Sequence, residues 1–144
     1  MPEIEEKLFL LLSIKSKFAE AIKAGTKTWE YRKVVPTKKV IGIIFYCPEE
    51  NDFVSFHTPV TMNIGTPEEI SESCIDNQSH AASLLRYFGE RSKVVAYKLE
   101  AHNFLAKGIK KALETKMKVP FKAPQSFQYI NAAHPLNNIL ELNL

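Results

Sequence analysis

Seven residues, Leu8–Ile14 (LFLLLSI), set the first constraint on this chain. They are apolar throughout except for Ser13, and far short of the roughly 18 residues a membrane span requires, so they read as a buried strand. The residues after it read as a sequence of short elements. Lys15–Ala24 has a helical stripe, Phe18, Ala21 and Ile22 at i, i+3 and i+4, with Lys15, Lys17, Glu20 and Lys23 on the wet side and Gly25 as its stop. Thr28–Lys33 and Lys39–Tyr46 read as strands, the second rich in β-branched and aromatic residues. Phe53–Ile64 is a longer β segment in which Pro59 predicts a bulge, a bend or two short strands.

Thr66-Pro67-Glu68-Glu69 is a helix start, with a threonine cap, proline in the first turn and a capping-box glutamate; the helix should run to about Cys74. A second start at Ser79 leads to a helix ending at Gly89, and Ser92–Phe104 reads as a strand. Gly108–Lys118 is basic, either a short helix or a mobile loop; Pro124–Ile130 is the last strand and Pro135–Leu140 a terminal helical turn. The order β-α-β-β-β-α-α-β-β lacks the regular helical crossovers of a doubly wound sheet. It predicts an α+β fold, a small mixed β-barrel or curled sheet flanked by a few helices. A chain of 144 residues is expected to form it as a single domain.

Composition narrows the function classes. Cys47 and Cys74 have neither the number of a disulfide framework nor the spacing of a zinc site, and read as reduced thiols. The opening MPEIEEK is acidic where a secretory signal is basic, which predicts a cytoplasmic protein with no membrane partner. His57, His80, His102 and His134 show no paired ligand spacing and read as surface or capping residues; five scattered glycines form no phosphate loop. Neither a metal nor a cofactor is expected. Charge is segregated: Ser13–Lys39 holds eight Lys or Arg against two acids, Val40–Leu85 none against seven, and Asn103–Lys122 six against one. Two basic segments around an acidic one leave two alternatives, a single basic face or lysines that merely solvate scattered surfaces, and composition alone favours the second.

The stretch Gly25–Lys33 (GTKTWEYRK) carries the most specific pattern. Alternation puts Trp29 and Tyr31 on one side of a strand, expected to be core, and Thr28, Glu30 and Arg32 on the other. The alternatives for Glu30 and Arg32 are an exposed surface pair and the wall of a cleft. Lys27 sits at the turn, where parity places it beside Trp29 and a bulge would place it with Glu30.

These residues resemble the ASCH domains of the PUA-like superfamily, in their stand-alone bacterial, archaeal and phage form. SIKSKFAEAIKAGTKTWEYRK is similar to the opening signature, G-x-K-T-x-E-x-R included, and PQSFQY (Pro124–Tyr129) to the closing motif. TPEEI and YFGERSKVVAYKLE stand where such members have helices and the penultimate strand. The resemblance covers about residues 8–130. It implies a small β-barrel and an RNA-, nucleotide- or nucleoside-binding cleft lined by Ser13, Lys15, Lys27, Thr28, Glu30 and Arg32, with Gln125 and Ser126. One branch hydrolyses acetylated cytidine with a lysine, a threonine and a glutamate, and another member is a ribonuclease. Were this chain such a hydrolase, Lys27 and Glu30 would be its catalytic residues. Glu30 stands in the place of that branch's threonine, and Glu72 or Asp76 is the counterpart of its acid.

Overall fold

The structure, a computed structural model, describes residues 6–144. The first five residues of the acidic opening lie outside the described residues. Eight strands and five α-helices follow in the order β1 (Phe9–Ser13), α1 (Ser16–Ala24), β2 (Trp29–Arg32), β3 (Gly42–Cys47), β4 (Asp52–His57), β5 (Val60–Gly65), α2 (Pro67–Ser73), α3 (Ala81–Phe88), β6 (Val94–Leu99), β7 (Asn103–Phe104), α4 (Ile109–Met117), β8 (Gln128–Ile130) and α5 (Leu136–Leu140).

The strands form two sheets. One has the order β7-β4-β3-β1-β8 and the other β2-β6-β5. The α+β composition matches the expectation. The pairing of the described strands stays within these two sheets and draws no closed barrel. Only β1 and β3 are parallel, joined through α1 and β2; the other pairs are antiparallel.

The apolar run of β1 is buried on both faces, which explains why it lacks alternation. Leu8, Leu10, Leu12 and Ile14 point towards the smaller sheet, meeting Ile43, Phe45, Val95, Tyr97 and Leu99. Phe9 and Leu11 point the other way, under Leu113 of α4 and Leu136 and Leu140 of α5. A third cluster joins α2 and α3 (Ile70, Cys74, Leu84, Phe88) to the outer face of the smaller sheet. The result is four layers, with helices outside both sheets and the largest apolar cluster between the sheets.

The element ends follow their sequence signals. Gly25 closes α1 at φ 83°, a left-handed conformation that glycine adopts without strain, and sends the chain into β2. Thr66 and Glu69 form the capping box of α2, with Pro67 in the first turn. The basic segment over residues 108–118 is the helix α4, with Ile109 and Leu113 turned to the core. The β segment interrupted by Pro59 divides into β4 and β5, which belong to different sheets. The single strand expected over Ser92–Phe104 also divides: β6 stays in the smaller sheet, and the chain crosses at Glu100–His102 to add β7 to the larger one. The last strand is shorter than expected; only Gln128–Ile130 pairs, with Leu11, Leu10 and Phe9.

One histidine departs from its expected place. A register shift between Phe45 and Tyr46 resets the alternation of β4, so Phe53 faces outwards and Ser55 and His57 face the inter-sheet core. His57 is fully buried. Its Nε2 lies 2.9 Å from Ser55 Oγ, and its Nδ1 lies 3.1 Å from the Ala101 carbonyl and 3.0 Å from His102 Nδ1. The Ala101 oxygen can only accept, so Nδ1 carries the proton and Nε2 accepts from the serine. Burial holds the His57 pKa down at about 4. His134 does take a capping role, accepting the Leu136 N–H at 3.1 Å.

Candidate functional site

β2 is short, and its two faces do different work. Trp29 and Tyr31 turn outwards against the α2/α3 cluster, as alternation predicted. The Tyr31 hydroxyl donates to the Cys74 carbonyl at 2.6 Å, and its ring meets Phe88 edge-on. Burial first, then the charge of Asp76, raise the Tyr31 pKa well beyond its usual value, which keeps the hydroxyl a donor.

Glu30 and Arg32 turn inwards, opposite Tyr97 and Val95 of β6. Glu30 is only 7% exposed. Its Oε1 accepts the Tyr31 N–H at 3.2 Å and lies 3.6 Å from Arg32 Nε, the one ion pair among the described residues. That spacing is within reach of charge attraction but too long for a hydrogen bond. Arg32 Nη2 donates to the Ser13 carbonyl at 2.6 Å, which fixes the guanidinium at the end of β1. Three buried polar atoms here have no partner: Glu30 Oε2, Arg32 Nε and the Tyr97 hydroxyl. Burial raises the Tyr97 pKa strongly, with the Arg32 charge opposing, so this hydroxyl also keeps its proton.

A cleft of about 240 Å³ opens beside these groups. Its floor is Leu10, Leu12, Arg32 and Tyr97; Gln125, Ser126 and Phe127 form one side, and Lys33, Tyr87 and Arg91 contribute cations and an aromatic ring. Of the residues expected in the site, the structure brings Arg32, Gln125 and Ser126 into the cleft lining, and Glu30 pairs with Arg32. Ser13 takes part through its backbone carbonyl. Lys15 is exposed and caps α1, outside the lining. Lys27 follows the parity of β2: its ammonium lies 5.1 Å from the Tyr31 ring centre and 5.4 Å from that of Phe18.

Thr28 belongs to a separate clamp. Its N–H donates to Asp76 Oδ2 at 2.9 Å, its hydroxyl donates to Asp76 Oδ1, and it accepts from Lys98 Nζ at 2.9 Å. Asp76→Ala removes the acceptor of both Thr28 donors and should lower stability by about 1–2 kcal/mol in urea denaturation. An unchanged midpoint would show the clamp to be incidental.

Tyr97, Tyr87 and Arg91 were not legible as site residues. Tyr97 sits inside VVAYKL, which looks like plain core, and only its pairing with Glu30 shows why its hydroxyl matters. Arg91 follows the Gly89 that ends α3 and reaches the cleft through the turn there. Among the described residues no three His, Cys, Asp or Glu converge as metal ligands, and no helix is long and apolar enough to cross a membrane.

No protein-family model and no curated protein sequence matches the chain. Solved structures do match in fold. The crystal structure of ASCH from Zymomonas mobilis superposes with a TM-score of 0.71 at 19% identity, covering 92% of this chain and 94% of that one. A tyrosine-to-phenylalanine mutant of the same protein gives 0.72 at 19% identity, over 93% and 97% of the two chains. A serine-to-alanine mutant gives 0.72 at 19% identity, over 96% and 99%. The two sheets and five helices that carry the inward-facing Glu30–Arg32 pair are thus a known frame: this chain has the fold of the Zymomonas mobilis ASCH structures.

Proposed function

We propose that this chain binds a nucleotide, free or within single-stranded RNA, in the cleft between its two sheets. The observation that carries the reading is the trio of unpartnered polar atoms, Glu30 Oε2, Arg32 Nε and the Tyr97 hydroxyl. Leaving a buried polar atom unpaired costs about 1–3 kcal/mol. These three lie at or behind the Arg32 and Tyr97 side chains that line the cleft, so a small shift of those side chains on binding would let a ligand supply the missing partners. A carboxylate oxygen accepts, a guanidinium N–H donates and a phenol does either; a base edge presents donors and acceptors together. The cleft is smaller than the roughly 300–1,000 Å³ of sites that enclose drug-sized ligands, so it suits the base of a nucleotide, with sugar and phosphate at its open side.

In this reading Phe127 offers a ring to the base, Gln125 and Ser126 add polar contacts, and Lys33 and Arg91 meet the phosphate. Ser13 acts by holding Arg32, Thr28 anchors the start of β2, and Lys15 and Lys27 supply positive charge outside the cleft. The ASCH fold and the signature residues support the same ligand class.

A second reading, hydrolysis of an acylated nucleoside or of RNA, has one observation behind it. The Thr28 hydroxyl stands between a carboxylate that can take its proton and the Lys98 ammonium, an arrangement suited to a nucleophile. Thr28 lies outside the cleft lining, and the Lys27 ammonium packs on the Tyr31 ring instead of pairing with Glu30, so binding is the conclusion.

The test is a titration of a nucleoside monophosphate and of short single-stranded RNA at two salt concentrations. Affinity should fall as salt rises, with a log–log slope of about −0.7 for each phosphate contact on a single strand. Binding that is absent at low salt, or indifferent to salt, overturns the proposal. Product formed from acetylated cytidine or RNA, and lost in Thr28→Ala, would replace it with the hydrolase.

A further inference from the structure

Phe18 is in the wrong place for a core residue. It belongs to the apolar stripe that the sequence assigns to α1, yet it is 42% exposed and joins none of the three apolar clusters. Ile22 and Ala19 bury that helix instead. Two lysine ammoniums attend the exposed ring, Lys17 at 5.0 Å and Lys27 at 5.4 Å from its centre. Neither lysine is in an ion pair among the described residues.

The contacts continue from Phe18 to the cleft. Lys27 also lies over the Tyr31 ring, and the Tyr31 carbonyl accepts from the Tyr87 hydroxyl at 3.4 Å. Tyr87 lines the cleft, with the Lys33 ammonium 4.8 Å from its ring centre. Rings and cations therefore run together from the cleft to Phe18, in the order Lys33, Tyr87, Tyr31, Lys27, Phe18 and Lys17. Three acids lie near this line and all are engaged: Glu30 pairs with Arg32, Glu49 accepts from the Ser16 N–H and hydroxyl, and Asp76 accepts from Thr28. The line stays net positive.

We infer that Phe18, with Lys17 and Lys27, is a stacking subsite for a further nucleotide of a strand that is also held in the cleft, so that the partner is a single-stranded polynucleotide. The inference rests on the cleft reading and adds to it. An unpaired strand presents base faces and phosphates in turn, which is what a run of exposed rings interspersed with cations can take. A duplex hides its base faces in its own stack, and a free nucleotide fills only the cleft. The exposed ring then has a purpose that packing does not give it.

The experiment compares a short labelled single-stranded RNA with a nucleoside monophosphate on wild type, Phe18→Ala and Phe18→Trp. Loss of one stacked base should weaken RNA binding roughly 5- to 150-fold in Phe18→Ala. Monophosphate affinity and melting temperature should stay the same, and Phe18→Trp should bind RNA at least as well as wild type. RNA affinity unchanged in Phe18→Ala, with the monophosphate still bound, removes the subsite and leaves the cleft reading standing. Equal losses for both ligands, or a lowered melting temperature, make Phe18 structural and also overturn the inference. Wild type that binds a duplex as well as the single strand overturns it, and wild type that binds neither the monophosphate nor RNA removes the cleft reading with it.

Discussion

Arg32→Met should destabilise the protein by about 2–3 kcal/mol and abolish nucleotide binding, while Glu30→Leu/Arg32→Met should regain the stability and not the binding. Removing Arg32 alone leaves the Glu30 carboxylate buried with no counter-ion, a change that costs about 3–5 kcal/mol for a fully buried pair. The Arg32 side chain keeps 23% of its exposure, which places the expected loss below that range. The double variant removes both charges and all but one of the unpartnered atoms, replacing them with apolar volume next to Leu10 and Leu12. Stability within about 1 kcal/mol of wild type is then expected. Urea denaturation together with a nucleotide titration separates the two effects. A double variant that binds like wild type would reduce the pair to a structural feature of β2.

Acidification should unfold the protein earlier than its carboxylates alone require, and His57 is the cause. The folded state holds this imidazole at about 4, against 6.5 in the unfolded chain, where it is exposed to water. A base depressed in the folded state binds fewer protons there than in the unfolded one. Its contribution is therefore neutral above pH 6.5 and turns unfavourable as pH falls towards 4, reaching about 3 kcal/mol. His134, also lowered by burial, adds slope of the same sign. The Ser16 contacts of Glu49 lower that carboxyl as well, so its loss comes further into acid. Stability measured in urea between pH 7 and pH 4 should fall steeply for wild type and more gently for His57→Gln. Identical slopes would mean that His57 does not titrate as its burial requires.

Much of the frame was legible because local signals decided it. The Gly25 stop, the Thr66–Glu69 box and the apolar run of β1 each depend on neighbouring residues, and each appears where the sequence places it. The two faces of β2 follow from alternation alone. What was not legible depends on pairing across the chain. Ser92–Phe104 looks continuous, and only the competition between two sheets for its ends divides it. His57 has the look of a surface or capping residue in the sequence because the register shift that turns it inwards lies in the pairing with β3. The site shows the same division: Glu30, Arg32, Gln125 and Ser126 stand in recognisable motifs, whereas Tyr97, Tyr87 and Arg91 gain meaning only from what faces them.

The way the chain passes between its sheets has a mechanical consequence. It crosses from the larger sheet to the smaller after β1 and β4, and back after β2 and β6, so that each sheet is stitched from segments the other interrupts. Neither wall of the cleft can swing away as a unit without tearing several of these stitches at once. A nucleotide bound there as proposed would meet a slot whose width is set at folding, with only side chains left to adjust, and its selectivity would come from shape and hydrogen-bond placement. Such a slot would give up the adaptability of a hinged clamp, and would spend little of its binding energy on moving the backbone.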